Sequence, residues 1–126
     1  MGTMTLETAE MSAAKRKIRD NFRNLVFERD LNMCVMCGTS QEELGKENKT
    51  LDAHHIIDRS EMPNGGYVKE NGISLCPTCH ELADVYHSTG TSYPGYSPDD
   101  LFHKIGSDAG KARSASEMLS KHNPLV

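Results

Sequence analysis

The sequence predicts a small α+β fold: two short strands and a helix at the centre, with further helices around them. Three observations carry this. A strand-like run, a long turn, a second strand-like run and a helix start follow one another between residues 50 and 87. A Cys-x-x-Cys pair stands on either side of the first of these strands, Cys34/Cys37 before it and Cys76/Cys79 just after the second. The chain has 126 residues, 37% of them hydrophobic and none of them Trp, which suits one domain with a lean core.

The elements follow in order. Residues 1–10 show no strong periodicity and read as a flexible N-terminus. Ser12 suits an N-cap, and residues 13–29 have helical spacing, with Ala14, Ile18, Phe22, Leu25 and Val26 on one stripe. Lys15, Arg19 and Arg23 recur every fourth residue on a neighbouring face, which fits either a solvated surface or a ridge that tracks phosphates. Asp30-Leu31-Asn32 breaks the helix, and the first Cys pair forms a knuckle that Gly38 closes with a tight turn. Residues 39–49 are polar, a loop or short helix. Residues 50–57 are the first strand, Asn64-Gly65-Gly66 is a turn, and Gly72-Ile73-Ser74-Leu75 is the second strand. Pro77 fits the first position of a helix that runs to about residue 86 or 87 before Gly90. After a loop, Ser97-Pro98-Asp99-Asp100 is a helix start with cap, proline and first-turn acids, and the helix stops near Gly106. A last helix spans residues 114–122 and ends at Asn123-Pro124. The chain thus divides into residues 1–10, a core with its basic helix over 11–90, and a loop with short helices over 91–126.

The formal net charge of −4 and pI of about 5.8 count against a generic nucleic-acid binder. The cations are local, however: six of the 14 Lys and Arg residues lie between Lys15 and Arg29. There is no apolar run long enough for a bilayer and no signal-like start, so the expectation is a cytoplasmic protein without a membrane partner. In a reducing compartment four cysteines point to metal rather than to disulfides. Two Cys-x-x-Cys knuckles can offer four thiolates to one Zn²⁺, which favours a tetrahedron of soft ligands. A redox Cys-x-x-Cys stands alone before a helix in a thioredoxin-like context, which is absent. Cys34, Cys37, Cys76 and Cys79 are therefore read as a structural zinc site with no open position.

The chemistry concentrates in residues 51–82, LDAHHIIDRSEMPNGGYVKENGISLCPTCHEL. Adjacent His54 and His55 point to opposite faces of a strand. Asn71 precedes Gly72, a common turn pair, and His80 directly follows the second knuckle. Asp84 lies one turn after His80 on the same helix face. His87 is two turns from His80, roughly 10 Å along the axis, too far to share its metal. Arg59, four residues after His55, suits either a flanking phosphate or open solvent.

This constellation, His54-His55, Asn71, His80 and the two Cys pairs, resembles the HNH endonucleases of the ββα-metal nuclease class. The run FERDLNMCVMCG is similar to their lead-in, and the resemblance covers roughly residues 23–87. It implies a small zinc-stapled, treble-clef-like ββα-metal core and a metal-dependent DNA endonuclease, a small stand-alone enzyme of phage or bacterial type. Carried over, His54 and His80 hold a catalytic divalent ion (Mg²⁺, Mn²⁺ or Ni²⁺), His55 is the general base and Asn71 braces the loop behind it. Many members carry Asp where this chain has His54, and the imidazole makes the site less anionic and softer. Asp84 fits a third ligand or a plain helix-face acid. Lys15, Arg19, Arg23 and Arg59 would face double-stranded DNA. One such site cuts one strand, so a double-strand break needs a homodimer or two events. The rival readings are a zinc-stapled DNA-binding module without catalysis and a zinc-dependent protein-interaction domain.

Overall fold

The computed structural model describes residues 6–122. Its elements are α1 (Leu6–Arg29), α2 (Gln41–Gly45), β1 (Asp52–His55), β2 (Gly72–Leu75), α3 (Pro77–Thr89), α4 (Pro98–Ile105) and α5 (Ala109–His122), with three 3₁₀ turns between the strands. The small α+β core expected from the sequence is present: β1 and β2 pair antiparallel, Asp52 opposite Leu75 and His55 opposite Gly72, and α3 follows β2 at once.

Helix α1 begins at Leu6, so Ser12 lies within it and is not its N-cap. The residues before Ser12 show no strong apolar periodicity, so the helical start does not stand out in the sequence. Of the expected stripe, Phe22 and Val26 are buried, whereas Leu25 is 42% exposed and lies beside the contact, not in it. The helix packs on the sheet very closely. A Cβ on Gly72 would sit 2.5 Å from Val26 Cγ2 and 2.7 Å from Phe22 Cε1, so only glycine allows β2 to approach α1 there. The end of α1 is riveted to the same strand. Arg29 donates to the carbonyls of Lys69 (2.6 Å) and Gly72 (2.7 Å), and Asp30 accepts from the Ser74 N–H at 2.9 Å. Leu31 and Asn32 then take left-handed backbone (φ 57° and 55°), which turns the chain into the first knuckle.

The other punctuation follows local chemistry. Cys76 caps α3, Pro77 opens it and Gly90, at φ 80°, ends it. Ser97 and Asp100 form a reciprocal capping box at α4, which Gly106 closes. The last helix begins at Ala109, five residues before the expected start at 114, because Asp108 caps it by accepting from the Lys111 N–H at 2.8 Å. Its expected stop at Asn123-Pro124 lies outside the described residues.

One core holds these elements together. Ile56, Ile73 and Leu75 from the ββ unit share it with Leu101 and Phe102 of α4 and Ala112 of α5. The C-terminal helices also grip the connection between the strands. Asn64 Nδ2 donates to the Ser116 carbonyl (3.1 Å), Ser116 Oγ donates to the Pro63 carbonyl, and Ser107 Oγ donates to the Glu70 carbonyl (2.9 Å).

Candidate active site

Two groups of metal-binding side chains form. The first is Cys34, Cys37, Cys76 and Cys79, whose sulfurs lie within 4.8 Å of one another. The knuckles meet because the Val35 N–H donates to the Ser74 carbonyl of β2, at 3.0 Å, which docks the first beside the second. Cys37 Sγ and Cys76 Sγ are 3.6 Å apart. Two sulfurs held tetrahedrally at a zinc–sulfur distance of about 2.3 Å would be roughly 3.8 Å apart, so the donor set fits the ion. Three of the four are buried and none is in a disulfide. Burial raises the Cys37 thiol, yet hydrogen bonds with Thr39 outweigh it and bring the pKa down to about 7. Burial pushes Cys79 up to about 12 and raises Cys76, so these two favour the thiolate only when a cation compensates. The four cysteines are positioned to form a zinc site.

The second group is His54, His80 and Asp84. His54 Nδ1 is 3.6 Å from Asp84 Oδ1, and His80 Nε2 is 3.5 Å from Asp84 Oδ2. The Asp84 carboxylate therefore reaches towards both imidazoles. His54, only 4% exposed, projects from β1 onto α3, which presents His80 and Asp84 from one face. Burial, then the neighbouring imidazoles of His80, His87 and His55, lower the His54 pKa to about 3, which keeps the ring neutral and able to donate a lone pair. Two imidazoles and a carboxylate suit a borderline divalent ion, and three donors from the protein leave positions for other ligands.

His55 is not in that group. It lies across β1, its ring stacked 4.5 Å from Phe22 and edge-on to Tyr67 at 4.9 Å. Its Nε2 is buried and has no hydrogen-bond partner. Burial, then the Arg59 charge, lower its pKa to about 4 against the opposing pull of Asp58. His55 shares a cleft of about 210 Å³ with Arg19, Arg23, Arg59 and Tyr67. Lys15 lines an adjoining cleft with Arg19 and Tyr67. Asn71 is fully buried: its Oδ1 accepts from the Ile57 N–H (3.0 Å), and its Nδ2 donates to the carbonyls of Ile57 (3.1 Å) and Gly66 (3.3 Å). It clamps the backbone two residues beyond His55. Gly66 takes φ 67° in that clamp, and a Cβ there would stand 2.7 Å from Asn71 Nδ2.

Residues 34–83 match the model of the HNH endonuclease family. This segment is similar to HNH endonuclease domains. No curated protein matches the chain, and no solved structure does. The matched segment contains all four cysteines, His54, His55, Asn71 and His80, and stops one residue before Asp84. Nucleases are the class to which such domains belong, and no helix among the described residues is long and apolar enough to cross a membrane.

Three residues around these clusters were given no role from the sequence. Asp52 Oδ2 lies 3.0 Å from His80 Nδ1, so the carboxylate fixes the ring with Nε2 directed at Asp84. The signal was its place two residues before His54 on one strand face. His87, read as too far from His80 along α3 to share its metal and given no other role, lies outside the metal-binding group, with its ring 5.2 Å from that of His54 and its Nε2 3.2 Å from the His55 carbonyl. The strand crosses the helix face and so meets the turn after Asp84, which spacing along α3 alone does not reveal. Tyr96 donates its hydroxyl to Cys79 Sγ at 3.4 Å, from the loop beyond the matched segment. No local pattern marks it.

Proposed function

We infer that this chain is a metal-dependent endonuclease that hydrolyses phosphodiester bonds of double-stranded DNA. The observation that carries the reading is the separation of two donor sets in one small fold: four cysteine sulfurs in a closed cluster, and His54, His80 and Asp84 in an open one, with the imidazole of His55 on the residue after His54. The first suits a structural Zn²⁺. The second suits Mg²⁺, Mn²⁺ or Ni²⁺, and such an ion, when bound, supplies positive charge to a phosphodiester whose negative charge grows during displacement.

The remaining roles belong to the chain. His54 and His80 offer imidazole lone pairs and Asp84 a carboxylate oxygen. Asp52 holds His80 in the tautomer whose Nε2 is free. His55, uncharged across physiological pH, takes the proton from a water oxygen as that oxygen attacks phosphorus. The bond from phosphorus to the 3′ oxygen breaks, that oxygen takes a proton from solvent, and the products carry a 5′ phosphate and a 3′ hydroxyl. Asn71 braces the backbone after His55, so the base keeps its angle to the strand. Lys15, Arg19, Arg23 and Arg59 offer positive charge on the His55 side to an anionic backbone. One such site cuts one strand, so a double-strand break requires a homodimer or two encounters. Four thiols without disulfides suit a reducing, cytoplasmic setting.

The test is nicking of supercoiled plasmid by zinc-loaded protein. Relaxed circles should appear with added Mg²⁺, Mn²⁺ or Ni²⁺ and not without. DNA that is bound but never cut under any of the three would favour a catalytically inactive binding module instead.

A further inference from the structure

We propose that the cleft beside His55 is a separate subsite for a second backbone phosphate, one or two nucleotides from the one that is cut, gripped by Arg19, Arg23 and Arg59. This rests on the nuclease reading and names a part of the substrate that the metal-binding residues do not touch.

Two elements bring the guanidinium groups together. Arg19 and Arg23 stand one turn apart on α1, and Arg59 comes from the 3₁₀ turn just after β1. The fold makes little use of them. Among the described residues none of the three pairs with a carboxylate, whereas Arg29 on the same helix binds Asp30 and two carbonyls. Asp58, next to Arg59 in the chain, is occupied by the N–H and hydroxyl of Ser60. Asp20 and Glu28 of α1 do not line the cleft. Arg59 is held in place instead: its Nη1 donates to the Tyr67 hydroxyl at 2.9 Å, and Tyr67 in turn stands edge-on to His55. A cleft of about 210 Å³ lined by three guanidinium groups without a carboxylate partner suits a phosphodiester.

The position is as telling as the charge. His54 and His55 are neighbours on β1, and their side chains leave by opposite faces. The metal-binding cluster lies on one side of the strand end and the arginine cleft, which His55 lines, on the other. A nucleic-acid strand laid across the end of β1 would therefore present one phosphate to each side. The grip on the second phosphate would set where along the strand the first is placed.

The experiment uses the zinc-loaded full chain and a short duplex in which one phosphate at a time is replaced by a neutral methylphosphonate. Binding is read by fluorescence anisotropy without added divalent ion. In the wild type, replacement at one or two adjacent positions beside the cleavage point should weaken binding about tenfold, with little effect elsewhere. In the Arg19→Ala/Arg23→Ala/Arg59→Ala variant the unmodified duplex should bind at that weaker level, and the methylphosphonate at those positions should cost nothing more. Arg59→Ala alone, an exposed position outside the core, gives the same comparison if the triple variant does not fold. A position-specific loss that persists in the variants, or no position-specific loss at all, overturns the subsite. Cleavage of the same duplexes with Mn²⁺ is scored separately. Position-dependent binding without any cleavage would refute the nuclease reading and leave the subsite standing.

Discussion

The two metal-binding groups are built in opposite ways. The thiolate cluster joins two knuckles from distant parts of the chain, one before β1 and one at the start of α3, and three of its four sulfurs are buried. The His54, His80 and Asp84 cluster takes two donors from a single face of α3 and one from β1, and Asp84 is exposed. A closed, soft, long-range cluster links elements that would otherwise separate. An open, harder and largely local one can exchange ligands without disturbing the fold. On the proposed reading, the difference assigns stability and chemistry to different donor sets, and each can be attacked alone.

The largest effect should come from the closed cluster. Cys76→Ser also removes the side-chain cap of α3. Structural zinc is worth about 10–16 kcal/mol in small zinc domains, against about 5–15 kcal/mol for the total stability of a typical domain. The variant should therefore lose its zinc and its cooperative unfolding transition, read by elemental analysis and circular dichroism. Well-folded protein with no zinc would show that the core stands without it.

At the open cluster, and at His55 across β1 from it, the fold should survive and the chemistry should not. His55→Ala should keep zinc and divalent-ion affinity while nicking falls by about a hundred- to ten-thousand-fold. His54→Ala or His80→Ala should lose nicking through weakened ion affinity, partly regained at high ion concentration. Calorimetric titration of each variant separates the two; if His55→Ala loses the ion and His54→Ala keeps it, the roles are reversed. The pH dependence has a definite sign. Only neutral His55 accepts a proton, and its pKa is about 4, so the His55-dependent rate should rise through that value and be level by pH 6.5.

Smaller effects test the supports of each cluster. Asp52→Asn removes the carboxylate that orients His80 and should weaken divalent-ion affinity by about 10- to 100-fold, with zinc untouched. Unchanged affinity would reduce Asp52 to a surface neighbour. Tyr96→Phe keeps the ring and deletes only the O–H donor to Cys79. Zinc transfer to a chelator should speed up a few-fold in this variant, with no change in ion affinity at the open cluster. An identical transfer rate would mean that the thiolates do not depend on that hydrogen bond.

What could be read from the sequence was whatever is local. The knuckle cysteines, the Pro77 and Ser97 helix starts and the Gly90 and Gly106 stops each act within a few residues, and the structure has them as expected. The expectations that failed depended on packing. Leu25 has the spacing of a core residue, but β2 meets α1 through Phe22 and Val26. The helices after Ser88 had no readable role, because nothing in their sequence shows that Leu101, Phe102 and Ala112 fill the core of the ββ unit. The same limit hid the site's supports. Asp52, His87 and Tyr96 approach their partners from 28 residues away for Asp52–His80, 32 for His87–His55 and 17 for Tyr96–Cys79. Only the fold brings them together.

The most direct measurement of the division between the two clusters is selective metal removal. Zinc-loaded protein is treated with a chelator too weak to strip four thiolates, and metal content, circular dichroism and plasmid nicking are followed together. One zinc per chain and the native spectrum should remain while nicking disappears, and added Mg²⁺, Mn²⁺ or Ni²⁺ should restore it. Nicking that persists with the single zinc alone, or that is lost only together with the fold, would contradict two clusters with separate tasks.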